Sequence, residues 1–331
     1  MSEMLVRPIE PNEWDSWDEF VGASPQGTVF HSTAWKQTVE KGGEGELAIW
    51  GCFEDRILCG GVVFLEREKH GQRTAVTPLL TPYCGLLLDE PAGEKFSDQV
   101  TRDMRVTTAL AEALTEHFSY VNLMNAPAMH DVRPLSDAKF ELIPRFTYLL
   151  NLSLPVDELW QRLDGSVRRQ VRKAERLDFE ITDNLNPAEG FTLFDSTFSR
   201  RGEANPISRA YFEEIVESER LRDSRRIFCA IRHGRLESFI VSLSDSETTY
   251  YALAATDEGA LSDGVSSYLV WEMIKTQAMD GMKTLDFVGA NIPSIARFKE
   301  GFNPRLQIYF HAQYFSSALL KLGKQFADRF R

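Results

Sequence analysis

The chain has 331 residues, 43% hydrophobic and 26% charged, which is the composition of a globular protein with room for two domains, each with its own core. No apolar run approaches the roughly 20 residues that span a bilayer. A formal charge of −12 is the wrong sign for a general nucleic-acid binder, so DNA is not an expected partner.

The acidic start, residues 1–17, lacks the apolar centre of a secretory signal, so the chain is expected in the cytoplasm. Leu47 to Phe53, a Glu54-Asp55-Arg56 turn, then Ile57 to Leu65 reads as a β-hairpin. A helix from Val106 to Phe118 and a strand from Tyr120 to Met124 follow. The domain break falls near Pro144. Thr147 to Leu154 opens the second unit as a strand that Pro155 ends, and Asp157 is placed to cap the next helix.

That helix runs from Val156 to Leu177. Val156, Leu159, Trp160, Leu163, Val167, Val171, Ala174 and Leu177 recur at helical period on one side. Arg162, Arg168, Arg169, Arg172, Lys173 and Arg176 fall on the other. The stretch from Gln161 to Arg176 carries a net +4 within a chain of −12. A concentrated basic face on an acidic protein points to a local anion site for phosphate, pyrophosphate or an RNA backbone. A solvated outer face fits the same pattern, and Gly165 can split the segment into two helices.

Glu217 to Arg226 is charge-dense and reads as a solvated helix end and loop. Arg226 to Ile231, an Arg232-His233-Gly234-Arg235 turn, then Leu236 to Leu243 forms a second hairpin. A helix from Val265 to Met279, closed by Asp280-Gly281, and a strand from Thr284 to Val288 follow it. The succession of hairpin, helix and strand thus occurs twice, which indicates a duplicated α/β unit. Past the last strand lie the Gly289-Ala290-Asn291 turn and the run Arg297-Phe298-Lys299-Glu300-Gly301-Phe302. A lysine beside aromatics beyond the end of a strand is placed to meet a substrate; a surface lysine on a short helix has the same spacing. Tyr314 to Arg331 is amphipathic, with Leu319, Leu320, Leu322, Phe326 and Phe330 against Lys321, Lys324, Arg329 and Arg331. It reads as a closing helix, with peripheral contact to an anionic membrane as the alternative.

Cys52, Cys59, Cys84 and Cys229 form no C-x-x-C pair and read as buried thiols, with Cys52 and Cys59 able to face each other across the first hairpin. His31, His70, His117, His130, His233 and His311 are scattered, so no metal site is expected.

Together the pieces resemble the Fem family of tandem GNAT-fold transferases, the peptidoglycan-bridge aminoacyltransferases and their FemAB-like relatives. Val29-Phe30-His31-Ser32-Thr33-Ala34-Trp35 resembles the family's F-x-Q-S…W, with His31 where Gln is usual. Leu159-Trp160 and Arg168 to Ala174 resemble its W…R-x-x-I-R-K-A helix. Phe191 to Phe212 resembles T-x-x-R-x-G…Y-F, and Leu285 to Phe302 resembles D-F-x-G…F-K-x-x-F-G, with Asn303 in place of the final glycine.

The resemblance implies an α/β (α+β) protein of two GNAT-like domains, mixed twisted sheets flanked by helices: 1–145, with the helix of 313–331 packing back on it, and 146–312. It implies an N-acyl or aminoacyl transferase in which an acceptor amine attacks an activated carbonyl. Lys299 would stabilise the oxyanion and Phe298 would shape the pocket. Arg200 or Arg201 would bind the phosphate of a nucleotide- or lipid-linked sugar; T-x-x-R spacing from Thr197 selects Arg200, and R-G selects Arg201. Lys36 beside Trp35, one of Tyr250 and Tyr251, and Arg168 with Arg172 complete the expected substrate contacts. No tightly bound cofactor is expected. The donor is either an aminoacyl-tRNA, bound transiently, or an acyl-CoA. Of the GNAT pyrophosphate loop Q/R-x-x-G-x-G/A, Leu261 to Ser266 keeps only the middle glycine, and Asp263 beside it is expected to repel a pyrophosphate. The acceptor would be an amine of a peptidoglycan-type or exopolysaccharide precursor. The alternative is a non-catalytic GNAT-like binding protein of a polysaccharide assembly system.

Overall fold

The computed structural model describes residues 4–69, 71–91, 93 and 95–329. His70, Phe330 and Arg331 lie outside the described residues, as do the side chains of Phe326 and Arg329. The chain divides into unit 1, Met1–Glu40, Glu44–Arg145 and Ile308–Arg331, and unit 2, Lys41–Gly43 and Phe146–Gln307.

Unit 1 takes in β1 (Met4–Pro8), α1 (Trp14–Ala23), α2 (Thr33–Lys41, to its last residue), β2 (Leu47–Glu54), β3 (Ile57–Lys69), β4 (Gln72–Val76), β5 (Leu86–Leu88), α3 (Phe96–His117), β6 (Tyr120–Met124) and α4 (Arg133–Asp137). β7 (Glu141–Asn151) carries the chain into unit 2. That unit holds α5 (Val156–Arg162), α6 (Gly165–Ala174), β8 (Glu180–Thr182), α7 (Pro187–Ser199), α8 (Arg209–Glu217), β9 (Arg225–Arg232), β10 (Arg235–Ser244), β11 (Thr248–Thr256), α9 (Val265–Met279), β12 (Thr284–Asp286) and α10 (Pro293–Glu300). β13 (Arg305–Phe315) returns the chain to unit 1, where α11 (Ala318–Arg329) follows.

The strand order in unit 1 is β1-β2-β3-β4-β6-β13, with β5 on β3; in unit 2 it is β7-β12-β11-β10-β9-β8. Each sheet has one parallel pair, β4 with β6 and β11 with β12, joined through α3 and α9 respectively. The two hairpins agree in detail. β2–β3 turns on Asp55 and Arg56, and β9–β10 turns on His233 and Gly234, four residues of positive φ. Two consecutive left-handed residues give the turn whose twist matches the strands. In each hairpin the third residue of the second strand, Cys59 or Glu237, is an extra, bulged one.

Separate cores hold the units. In unit 1, Trp50 and Phe64 pack on Phe118, and α3 lays Val106, Leu110 and Leu114 on the sheet. In unit 2, α9 is buried nearly all round through Leu269, Val270, Trp271, Met273 and Ile274, as a helix inside a core must be. All four cysteines are buried free thiols. Among the described residues, no helix is long and apolar enough to cross a membrane.

β12 ends at Asp286 and not at Val288, the helix expected over 313–331 is α11, Ala318–Arg329, with residues 313–315 in β13, and three further elements also differ from their sequence expectation. α3 starts ten residues before Val106, with Phe96 exposed in its first turn. The strand placed at Thr147 to Leu154 is β7, which starts at Glu141 and ends at Asn151. The basic helix is two helices, because Leu163 and Asp164 adopt extended backbone and the Asp164 amide donates to the Gly301 carbonyl. Leu177 lies beyond the end of α6, whose buried stripe is Val167, Val171 and Ala174.

Candidate functional site

In unit 2 the parallel pair β11–β12 is short. It joins Thr248–Tyr250 to Thr284–Asp286, and β11 then runs six residues further, to Thr256, without β12 beside it. Just past the last pair, the register of β11 against β10 skips Ala252, a bulge that bends the strand where the two diverge. The chain leaving β12 turns sharply through Val288 (φ 54) and Gly289 (φ 77). A β-branched residue in the left-handed region is strained, by roughly 1–2 kcal/mol, and needs its surroundings to hold it there.

Lys299 holds it. This side chain is 4% exposed, and its Nζ donates to the carbonyls of Val288 and Gly289, at 2.8 Å each. Asp286, buried at the end of β12, accepts from the Val288 amide at 2.7 Å and from Thr147 Oγ1 at 2.5 Å. The Gly289 amide donates in turn to Thr147 Oγ1 at 3.2 Å. Burial pushes the Lys299 ammonium down to about 8, and the negative charge of Asp286 partly offsets that. The ring of Tyr251 lies 6.0 Å from Nζ, and burial raises its phenol. Phe298 is half-buried, edge-on to Phe302 at 5.5 Å, and Phe302 packs on Phe287. Among the described residues the Val288 and Gly289 carbonyls are the hydrogen-bond partners of the Lys299 Nζ, and the cation lies beside Tyr251 where the strands part.

Residues 161–300 match the family model of the acetyltransferase (GNAT) domain. Among curated proteins none matches the sequence. Solved structures resemble it over nearly the whole chain. FemX does so with a TM-score of 0.68 at 13% identity, covering 92% of this chain and 96% of FemX. The C-terminal domain of a putative lysylphosphatidylglycerol synthetase from Agrobacterium fabrum gives 0.56 at 10% identity, covering 93% of each. L-PGS from Bacillus licheniformis gives 0.54 at 11% identity, covering 98% of this chain and 97% of that one. The chain has a tandem GNAT fold.

The strand-to-helix turn before α9 is where the sequence placed the counterpart of the GNAT pyrophosphate loop. Gly264 there has φ 82, and an added Cβ would lie 2.5 Å from the carbonyl oxygen of Gln170, so the backbone of α6 crowds the turn. Asp263 is not the obstacle anticipated from the sequence. Lys173 (3.2 Å) and Arg232 (3.0 Å) pair with it, and their hydrogen bonds hold its carboxyl below the usual range. Asp263 and Glu237 share the Arg232 guanidinium.

The two candidate arginines separate. Arg200, which caps the end of α7, donates to the Thr256 carbonyl at 2.9 Å, at the end of β11; Thr256 Oγ1 meets Ser266 Oγ of α9 at 2.9 Å. Arg200 therefore stands by the start of α9, about 16 Å along the strand from Tyr251. Arg201 instead pairs with Glu203 at 2.9 Å and lies over Phe198.

The neighbouring tyrosines also part. Tyr251 faces Lys299, whereas Tyr250 is buried and donates to Asp245 Oδ2 at 2.7 Å, which removes it from substrate contact. Arg168 is half-buried and donates to the carbonyls of Gln161, at 2.7 Å, and Leu163. It closes the end of α5, in place of the free outer charge expected of it. Arg172 is exposed, its guanidinium 5.6 Å from the Trp160 ring centroid.

Trp35 and Lys36 belong to unit 1. Trp35 has no exposed surface; it donates to Thr81 Oγ1 at 3.0 Å and stacks edge-on to Phe30, so it is a core residue and not a substrate contact. Lys36 pairs with Glu40. His31 is fully buried, shares a 2.8 Å hydrogen bond between Nδ1 and Thr28 Oγ1, and is pushed down to about 4 by burial.

Sequence reasoning missed Asp286 and Thr147. Asp286 was visible as the acid of D-F-x-G at a strand end. Thr147 carried no signal, because its part depends on β7 pairing with β12.

Proposed function

We propose that the chain is an acyltransferase that moves an acyl or aminoacyl group onto an amine of a cell-envelope precursor, at the divergence of β11 and β12. The observation that carries this reading is the buried Lys299 ammonium, held on the Val288 and Gly289 carbonyls beside Tyr251. When the acceptor amine attacks the donor carbonyl, negative charge grows on one oxygen. A fixed cation in a desolvated setting stabilises that charge without reorganising, an effect worth about 100-fold or more in rate. Tyr251 and Phe298 would line the acyl group. Arg200, by the α9 turn, would take a phosphate of donor or acceptor.

We read the α6 backbone packed on Gly264 as leaving little room for a coenzyme A pyrophosphate at that turn. The exposed Arg169, Arg172 and Arg176 favour a polyanionic partner. An aminoacyl-tRNA donor fits both features better than acyl-CoA. The name of one similar structure, a putative lysylphosphatidylglycerol synthetase, agrees with an aminoacyl group as the one transferred.

A second reading, a GNAT-like binding protein without catalysis, is favoured by one feature: both Lys299 contacts are to its own chain. Mass spectrometry of the full chain with amine acceptors and either aminoacyl-tRNA or acetyl-CoA separates the two. A transfer product that Lys299→Met abolishes supports the enzyme. Binding of a nucleotide sugar, with no product from either donor, supports the binding protein.

A further inference from the structure

Unit 1 contains a cavity of about 620 Å³ that the transfer reading leaves unused. It lies where the loop after β5, the first turns of α3 and the segment between β6 and α4 meet. Its floor is apolar, from Leu88, Val100, Met129 and Val132, of which Leu88 and Met129 are buried. At its edge the Phe96 ring is 80% exposed, so a large apolar surface stands in water beside an apolar floor.

The rim is acidic. Glu90, Asp103 and Asp131 line it. Asp131 is held by Arg133 at 2.6 Å; Arg102 is shared between Asp103, at 3.2 Å, and Asp89, at 3.4 Å. Among the described residues that line the cavity, three carboxylates, Glu90, Asp103 and Asp131, thus stand with the Arg133 guanidinium and the His130 imidazole. Burial raises the Asp103 carboxyl, and the like charges of Glu90 and Asp131 add to that against the pull of Arg102. An anionic ligand would meet this repulsion even at a helix N-terminus, and a neutral apolar ligand would leave it unrelieved. A cation on an apolar body relieves it while covering Phe96.

We infer that this cavity binds an organic cation, an amine carrying an alkyl or aryl body. The volume is ordinary for a small-molecule site. The inference is independent of the transfer reading, since it concerns binding to unit 1 alone.

The test is a titration of the full chain, followed by NMR, with 4-phenylbutylamine, neutral 4-phenylbutanol and anionic 4-phenylbutyrate. The amine is expected to bind about tenfold tighter than the alcohol, with the acid weakest, and only the amine should weaken as salt is raised. Asp103→Asn with Glu90→Gln should erase the preference for the amine. Should that variant not fold, the salt series on the unaltered chain makes the same discrimination. Equal affinity for amine and alcohol, tightest binding of the acid, or no binding of any probe overturns the inference. So does light scattering that shows a second copy covering the cavity in dimers.

Discussion

The two units place different chemistry at the same point of one frame. Counting from the shared hairpin, Asn122 in unit 1 and Asp286 in unit 2 are counterparts, each in the last pair of its parallel ladder, opposite Val76 and Tyr250. Asn122 meets the His311 imidazole at 2.5 Å, a neutral pair, since burial and the nearby Arg145 push His311 down to about 4. Asp286 instead faces a buried ammonium and a strained turn. In unit 1, β4 ends at its last pair with β6; in unit 2, β11 runs on past β12. Duplication therefore supplied the frame, and the charged, splayed version of the joint is found in unit 2.

The largest expected effect breaks this asymmetry outright. Lys299→Met should lower transfer turnover by about 100-fold on protein that remains folded, whereas His311→Gln in unit 1 should change it less than about threefold. Comparable losses in the two variants, measured as kcat, would mean that the units are not distinguished by chemistry.

Acid should separate the units next. His31 and His311, both in unit 1, have folded values near 4 against an ordinary 6.5. The unfolded chain binds their protons first, so stability is full above about 6.5 and falls as pH drops toward 4. The loss approaches about 3 kcal/mol for each histidine, at 1.36 kcal/mol per pH unit. Hydrogen exchange at pH 7 and pH 4.5 should show unit 1 opening first. Earlier opening of unit 2 would contradict this.

Lys299 gives unit 2 a dependence of the same sign, displaced to alkaline pH. Its folded value of about 8 lies below the ordinary 10.5, so between these the unfolded chain holds more protons. Its contribution to stability rises with pH across that window, by up to about 3 kcal/mol. Denaturant melts of the chain and of Lys299→Met at pH 7.5 and 10 should differ in slope; parallel slopes would count against a buried ammonium.

The smallest effect divides the basic helices. Arg168→Ala should cost about 1 kcal/mol, since it removes a charged donor from the end of α5. Arg172→Ala should cost almost nothing in stability yet weaken binding of a polyanion in low salt. Equal thermal shifts for both would remove the distinction between a structural and a ligand-facing arginine.

Much of the frame was legible because it rests on local pattern. The turns at Asp55-Arg56 and His233-Gly234 stand between alternating runs, and Tyr120–Met124 and Val265–Met279 appear in the structure with the bounds read from sequence. What the sequence hid depends on contacts far apart along the chain. Arg168 looks like any outer arginine until α5 ends six residues before it. Trp35 beside Lys36 looks like part of a site until its ring is seen closed within the core. Lys299 was found by its neighbours, but its partners, the carbonyls of a strained Val288–Gly289 turn, cannot be inferred from residue type. Asp263 was misjudged because its two cations, Lys173 and Arg232, come from a helix and a strand distant in sequence.

The central claim is that the Lys299 ammonium, held where β11 and β12 part, is the charge that transfer depends on. A ¹⁵N NMR titration of the lysine Nζ, with Lys299→Met to assign the signal, run alongside kcat against pH, tests it most directly. The account predicts that the ammonium loses its proton near pH 8 and that kcat falls along the same curve. An ammonium that titrates near the ordinary 10.5, or a kcat indifferent to its loss of charge, would contradict it.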